Sequence, residues 1–310
     1  MDTSAAPVID VAGVRKSFGA TKALDGVTFD IRQGEMFGVI GPDGAGKTTV
    51  MRTMCGLIAP DAGTVRVMGA DPFRQPRHAA AKIGYVSQRF TLYGDLSIDE
   101  NIEFFARIHG VAAFGARRSR LLSLTGLEAF RTRLADRLSG GMKQKLALAC
   151  TLVHEPPILV LDEPTTGVDP VSRREFWKLL AEFTAQGLTI ALATPYLDEA
   201  ERCHRVALLS GGRVLALDAP ARLQASAAGA LVEIVASPIR SALEVARARA
   251  GADRVQLFGD RLHVRFAHER DYEPVARALD AAGIGVASWR VIPATLEDVF
   301  IDRLAQEKSE

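Results

Sequence analysis

Residues 36–49 read Met36-Phe37-Gly38-Val39-Ile40-Gly41-Pro42-Asp43-Gly44-Ala45-Gly46-Lys47-Thr48-Thr49. The first five form a continuous apolar run, the pattern of a strand buried on both faces of a parallel sheet. The rest matches Gly-x-x-x-x-Gly-Lys-Thr and leads into helical spacing. Glycines let a backbone curl until successive N–H groups face one phosphate chain. Lys47 would then neutralise β- and γ-oxygens, the Thr48 hydroxyl would ligate Mg²⁺, and the helix would add its positive N-terminal end. Gly41, Pro42, Asp43, Gly44, Ala45, Gly46, Lys47, Thr48 and Thr49 are therefore the expected nucleotide-binding residues, in an α/β fold.

A second buried strand, Ile158–Leu161, ends in Asp162-Glu163-Pro164. Open α/β sheets bind ligands at the carboxyl ends of their strands, so Asp162 is placed to hold Mg²⁺ and Glu163 to act as general base toward an attacking water. Leu138-Ser139-Gly140-Gly141-Met142 opens a helix whose free N–H groups make another anion site. One phosphate loop cradles one triphosphate. A second anion site is surplus unless it meets the nucleotide of a second subunit. Leu188–Ala193 supplies a third buried strand. Ser97-Ile98-Asp99-Glu100 is a capping box, and Asp169-Pro170 pairs an N-cap with an N1 proline, so a helix is expected from about 170 to 186.

The 310 residues carry 38 Lys+Arg against 37 Asp+Glu, a balance without the basic excess of a nucleic-acid binder. Hydrophobic residues make up 48%, enough for a full core. Cys55, Cys150 and Cys203 sit among apolar neighbours and read as buried thiols. With no signal-peptide pattern at Met1 and no run of about 18 apolar residues, a cytoplasmic protein is expected. Composition shifts at the small-residue stretch 224–230, which places a cassette-sized domain at 1–222, with a helical subdomain at about 89–153, and a small domain at 223–310. The small domain follows the order βαββαβ of a ferredoxin-like unit, with Gly259-Asp260-Arg261 as a hairpin loop.

Gly41–Thr49, Leu138–Met142 and Ile158–Pro164, in that order, resemble the ATP-binding subunit of ABC (ATP-binding cassette) transporters, over about residues 8–222. The resemblance implies a P-loop ATPase that uses ATP and Mg²⁺. It implies a dimer with a second cassette, identical or not, in which Leu138–Met142 meets the partner's ATP. It makes Phe18 the aromatic on adenine, unless Phe18 is a core side chain. Gln88 becomes the Mg²⁺-sensing glutamine, and Asp169 the residue that couples two ATP sites as well as a helix cap. Glu163, Gln88 and Asp162 are the catalytic set; Thr48, Gln88 and Asp162 are the metal set. Residues near 88–110 would receive a membrane subunit, with the chain peripheral on the inner face of the cell membrane.

One position departs from the family. Where its members read Thr-His, this chain has Thr194-Pro195, so the switch imidazole that contacts the γ-phosphate is missing. Thr194 is expected to cap the following helix, with Pro195 at N1. Turnover should suffer more than binding. The tail, Thr295-Leu296-Glu297-Asp298-Val299-Phe300, resembles a box ending the ATPases of daunorubicin-type (ABC-2) drug exporters. An amphipathic helix packed on the small domain would account for it equally. The loop and signature also resemble the first half of tandem-cassette multidrug exporter subunits, which points to a motor of drug or amphipathic small-molecule export working on ABC-2-type permease subunits. A weakly hydrolysing partner in an asymmetric pair is the alternative. A soluble ABC ATPase of DNA repair or translation fits poorly, since its usual second cassette, zinc cysteines or long coiled coil are not seen.

Overall fold

The computed structural model describes residues 7–88, 92–227 and 229–307. The chain divides into two compact units, Met1–Ala219 and Pro220–Glu310. The separation falls three residues before the boundary expected from composition, because the helix Pro220–Ala225 belongs to the second unit.

In unit 1 the strands are β1 (Ile9–Phe18), β2 (Thr21–Ile31), β3 (Met36–Ile40), β4 (Ala62–Val67), β5 (Ile83–Val86), β6 (Ile158–Asp162), β7 (Thr189–Thr194), β8 (Arg205–Ser210) and β9 (Arg213–Asp218). Its helices are α1 (Lys47–Met54), α2 (Pro76–Lys82), α3 (Ile98–Ile108), α4 (Gly115–Thr125), α5 (Gly140–Leu152), α6 (Pro170–Ala185) and the single turn α7 (Leu197–Ala200). One six-stranded sheet runs β5-β6-β7-β3-β8-β9, parallel except for β9. Every residue of β3, β6 and β7 is buried, which is why their sequences are apolar without alternation. The carboxyl ends of β3, β6 and β7 are adjacent, so Gly41, Glu163 and Pro195 leave the same sheet edge.

A second sheet, β2-β1-β4, is antiparallel. Strands β1 and β2 form one long hairpin whose register shifts twice between Val11 and Arg15. Charged residues and bulges along β1 hide its length in the sequence. The two sheets share a core in which Phe29 of β2 stacks on Phe37 of β3 at 5.1 Å. The helical part begins with the capping box on α3: Ser97 Oγ accepts from Glu100 N at 3.3 Å, and Glu100 Oε2 accepts from Ser97 N at 2.8 Å. Residues 89–91 of the expected helical subdomain lie outside the described residues.

Unit 2 comprises α8 (Pro220–Ala225), β10 (Ala230–Ser237), α9 (Ile239–Ala250), β11 (Val255–Phe258), β12 (Arg261–Phe266), α10 (Glu273–Ala281), β13 (Gly285–Ile292) and α11 (Leu296–Glu307). Its antiparallel sheet has the order β11-β12-β10-β13, the ferredoxin-like arrangement. Val232, Ile234, Leu262 and Val264 form a core with Ala242, Ala246, Val275 and Leu279 of α9 and α10. The tail box opens α11. Leu296 and Val299 are buried, and Asp298 accepts from Thr295 N at 2.9 Å and Thr295 Oγ1 at 2.6 Å. Asp298 Oδ1 also lies 3.2 Å from His263 Nδ1. The box residues thus cap α11 and tie it to β12 of this sheet.

Candidate functional site

The chain leaves β3 at Gly41, turns through Gly44 (φ +78°) and enters α1 at Gly46 (φ +103°). No side chain fits two of these places. A Cβ on Gly41 would lie 2.1 Å from the Leu209 carbonyl, and one on Gly46 2.4 Å from the Ala23 carbonyl. Ala45 is buried, whereas Pro42, Asp43 and Gly44 are exposed. Thr49 lies within the first turn of α1, and its carbonyl accepts from Thr53 Oγ1 at 2.8 Å.

Lys47 is only 4% exposed. Its Nζ donates to the Pro42 carbonyl at 3.0 Å and pairs with Glu163 at 3.1 Å. Asp162 and Glu163 come off β6 beside it. Thr48 Oγ1 donates to Asp162 Oδ1 at 3.0 Å, and the Tyr85 hydroxyl donates to Oδ2 at 3.2 Å. Burial pushes the Asp162 carboxyl above the usual range, while the hydrogen bonds from Thr48 and Tyr85 pull the other way. Gln88 Nε2 donates to Glu163 Oε2 at 2.9 Å. Glu163 itself has φ +50°, a left-handed backbone that side chains other than glycine rarely adopt.

The fold thus brings together Lys47, Thr48, Gln88, Asp162 and Glu163 from three separate stretches. Among the described residues no group of three or more His, Cys, Asp or Glu side chains forms a metal cage. Mg²⁺ seldom needs one, since it binds through one or two carboxylates plus substrate phosphates. The adjoining Thr48 hydroxyl and Asp162 carboxylate are hard oxygen donors of that kind and fit the ion.

Leu138–Met142 stands apart from this cluster. No hydrogen bond or ion pair among the described residues joins it to Gly41–Thr49. Leu138 is buried, whereas Ser139 and Gly140 are exposed. Ser139 Oγ accepts from Met142 N at 3.3 Å and caps α5. The two glycines differ in their surroundings. A Cβ on Gly140 would meet nothing within 4 Å, but one on Gly141 would meet Ser172 Oγ of α6 at 2.4 Å. Asp169 caps α6, accepting from Val171 N at 3.0 Å and Ser172 N at 2.9 Å, and hydrogen bonding from the Ser172 side chain first, then from its N–H, holds the carboxyl below the usual range. Phe18 is 51% exposed beside Lys16, so the core alternative for it does not hold.

The switch segment corrects one expectation. Thr194 is the last residue of β7 and Pro195 precedes the N-cap, Tyr196, of α7. Thr194 therefore does not cap that helix, and Pro195 is not its N1 residue. The Thr194 hydroxyl accepts from Tyr196 N at 3.1 Å and donates to Glu199. Sequence reasoning missed two members of the neighbourhood, Tyr85 and Glu199. Tyr85 stood in view three residues before Gln88. Glu199 gave no signal, because its partners lie 5 to 34 residues away.

Residues 24–166 match the family described as "ABC transporter". The "Probable multidrug ABC transporter ATP-binding protein YbhF" of Escherichia coli is 42% identical over 223 residues, 71% of this chain and 39% of YbhF. The "Nod factor export ATP-binding protein I" of Paraburkholderia xenovorans is 39% identical over 304 residues, 96% of this chain and 97% of that protein. This chain belongs to the ABC transporter ATP-binding cassettes. Among solved structures, an ATP-binding subunit of an ABC transporter superposes with a TM-score of 0.63 at 30% identity, covering 70% of this chain and 92% of the other. The dimeric structure of a bacterial ABC transporter cassette gives 0.62 at 27% identity, covering 68% and 98%. The cassette is thus an ATP-binding P-loop fold of a family of ATPases coupled to transport. No helix among its described residues is long and apolar enough to cross a membrane.

Proposed function

We propose that this chain is the ATP-hydrolysing motor of an exporter, and that it works as one of two cassettes closing on two ATPs. The observation that carries this reading is the division of labour within unit 1. Lys47, Thr48, Asp162, Gln88 and Glu163 form one cluster, while Ser139 and Gly140 present a capped helix start on exposed surface elsewhere. In this reading Gly41–Thr49 wraps the phosphates of ATP, with Phe18 against the adenine. Thr48, Asp162 and Gln88 would hold Mg²⁺, which offsets charge on the phosphates when bound. Lys47 exchanges Glu163 for phosphate oxygens, which frees the Glu163 carboxylate to take a proton from the attacking water. Leu138–Met142 of each chain then meets the nucleotide held by its partner, and Asp169 lies where the two sites couple.

The names of the relatives support export as the direction: one is called a probable multidrug transporter protein and another a Nod factor export protein. We assign this chain to ABC-2-type permease subunits at the inner face of the membrane, received near residues 88–110 on the helical subdomain, with a drug or other amphipathic small molecule as cargo. Unit 2 is read as an accessory or regulatory domain.

Steady-state ATP hydrolysis across protein concentration, beside Lys47→Ala, tests this. The expected result is turnover that steepens with concentration and is abolished in the variant. Absence of ATP binding by the parent chain would overturn the reading. Pro195 motivates a second reading, a cassette that closes on ATP while a catalytic partner hydrolyses. Tight binding with turnover only in the presence of another cassette would favour it.

A further inference from the structure

Glu199 is a buried carboxylate with no part in the scheme above. It is 0% exposed, and an isolated charge there would be prohibitive without donors. It has four. Oε1 accepts from Thr165 Oγ1 at 2.5 Å, Arg173 Nε at 2.7 Å and Trp177 Nε1 at 3.1 Å, and Oε2 accepts from Thr194 Oγ1 at 2.5 Å. These donors come from the loop after β6, the first two turns of α6, and the end of β7. Arg173 grips the same segment twice more, pairing with both oxygens of Asp198 at 3.1 Å and lying 4.5 Å from the centre of the Tyr196 ring.

What this knot surrounds is the strained residue of the site. Glu163 holds a left-handed backbone, which persists only where the surroundings over-determine it. Its N–H donates to the Ala193 carbonyl at 2.9 Å. Ala193 adjoins Thr194, and Thr165 lies two residues beyond Glu163. One carboxylate therefore ties the segment after Glu163 to the segment that receives its backbone.

We propose that Glu199 is a positioning residue: by joining Thr165 and Thr194 it locks Glu163 in its left-handed conformation and so aims the general base. In a chain without a switch imidazole, this tie adds side-chain bonds to the backbone pairing that already joins the ends of β6 and β7. The inference rests on the reading of Glu163 as general base.

Removing Glu199 would take the acceptor from Arg173 Nε and three other buried donors and risks the fold, so the test acts on the donors. Thr165→Val, Thr194→Val, Thr165→Ser and Thr194→Ser are compared with the parent in single-turnover hydrolysis with protein in excess. Equilibrium binding of a fluorescent ATP analogue and amide hydrogen exchange over residues 162–168 are measured alongside. Small misplacements of reacting groups cost on the order of 10- to 100-fold in rate. Each valine variant should lose that much hydrolysis, keep its affinity within about twofold, and exchange faster across 162–168. The serine variants, which retain the hydroxyl, should behave as the parent.

Valine variants that hydrolyse and exchange like the parent would overturn the proposal. So would a loss of rate matched by equal losses in affinity and melting temperature, which marks a merely structural role. Glu163→Gln separates the two claims. If it hydrolyses at the parent rate, the general-base reading has failed, and the exchange measurement alone decides whether Glu199 holds this backbone.

Discussion

The two signature glycines should respond in opposite ways to the same added methyl group. On Gly141 a Cβ would sit 2.4 Å from Ser172 Oγ and 2.5 Å from Ser172 Cβ, well inside any real contact distance. The first turns of α5 and α6 would have to separate by about 1 Å, and overpacking of this kind costs roughly 1–3 kcal/mol. For a unit of this size that is a fall in melting temperature of about 2–12 °C. On Gly140 the Cβ meets nothing within 4 Å and the backbone is helical, so alanine should be neutral or stabilising by up to about 1 kcal/mol. The open space there is proposed to belong to the ATP of a second cassette, and Gly140→Ala should therefore lower turnover without lowering stability. Thermal unfolding and concentration-dependent ATP hydrolysis of both variants, with Ser172→Gly added to relieve Gly141→Ala, check this. Equal destabilisation by the two alanines would refute the packing argument. Full turnover in Gly140→Ala would refute the interface argument.

Restoring an imidazole with Pro195→His should raise turnover by on the order of 10²- to 10³-fold while ATP affinity stays put; steady-state kinetics decide it, and an unchanged rate would remove Pro195 as the cause of any defect. His154 stacks on His109 at 3.8 Å, and burial first, then the charge of that neighbour, push its imidazole down to about 4. Its folded value lies below the unfolded value, so the unfolded chain binds more protons between the two. Stability present at neutral pH should be lost as pH falls from about 6.5 to about 4, by roughly 1–2 kcal/mol after screening. Urea unfolding of the parent and His154→Phe at both ends of that window should show the dependence flatten in the variant. Thr295→Ala removes the cap that holds Asp298 and should weaken α11 by about 0.5–2 kcal/mol, read as faster amide exchange in 296–307.

Local signals carried most of the fold. Buried parallel strands announce themselves as unbroken apolar runs, and β3, β6 and β7 were legible for that reason. Ser97, Ser139 and Asp169 marked helix starts because a capping side chain acts within three residues. Elements held by distant partners were not legible. The hairpin β1–β2 is broken by bulges and by charges on its exposed face, and β4 and β5 are short, with β4 half polar. The switch segment was misread because the local rule and the tertiary contact compete for one hydroxyl. Thr194 followed by proline looks like a cap, but its side chain is engaged by Glu199, and the helix starts later, at Leu197. The candidate site divides the same way. The loop glycines and Lys47 are local, whereas the bonds from Thr48, Tyr85 and Gln88 to the β6 carboxylates span 75 to 114 residues.

That division bears on how a cassette tolerates proline at the switch. The proposed phosphate-binding groups come from the β3–α1 turn, where the Leu209 and Ala23 carbonyls leave no room for side chains on Gly41 and Gly46. The end of β7 still contributes through its backbone: the Thr194 carbonyl lies 3.4 Å from Gly41 N, and the Ala193 carbonyl accepts from Glu163 N. Proline forfeits its own N–H and brings no polar side chain, but it leaves both of those carbonyls in place. The backbone bonds to Gly41 and Glu163 are therefore kept beside the Glu199 tie, and on the proposed reading what proline forfeits is the contact to the developing phosphate charge. Binding and turnover are physically separable in such a chain. On the reading proposed above, closure on ATP would keep its full set of groups, and the cost of Pro195 would fall on the chemical step.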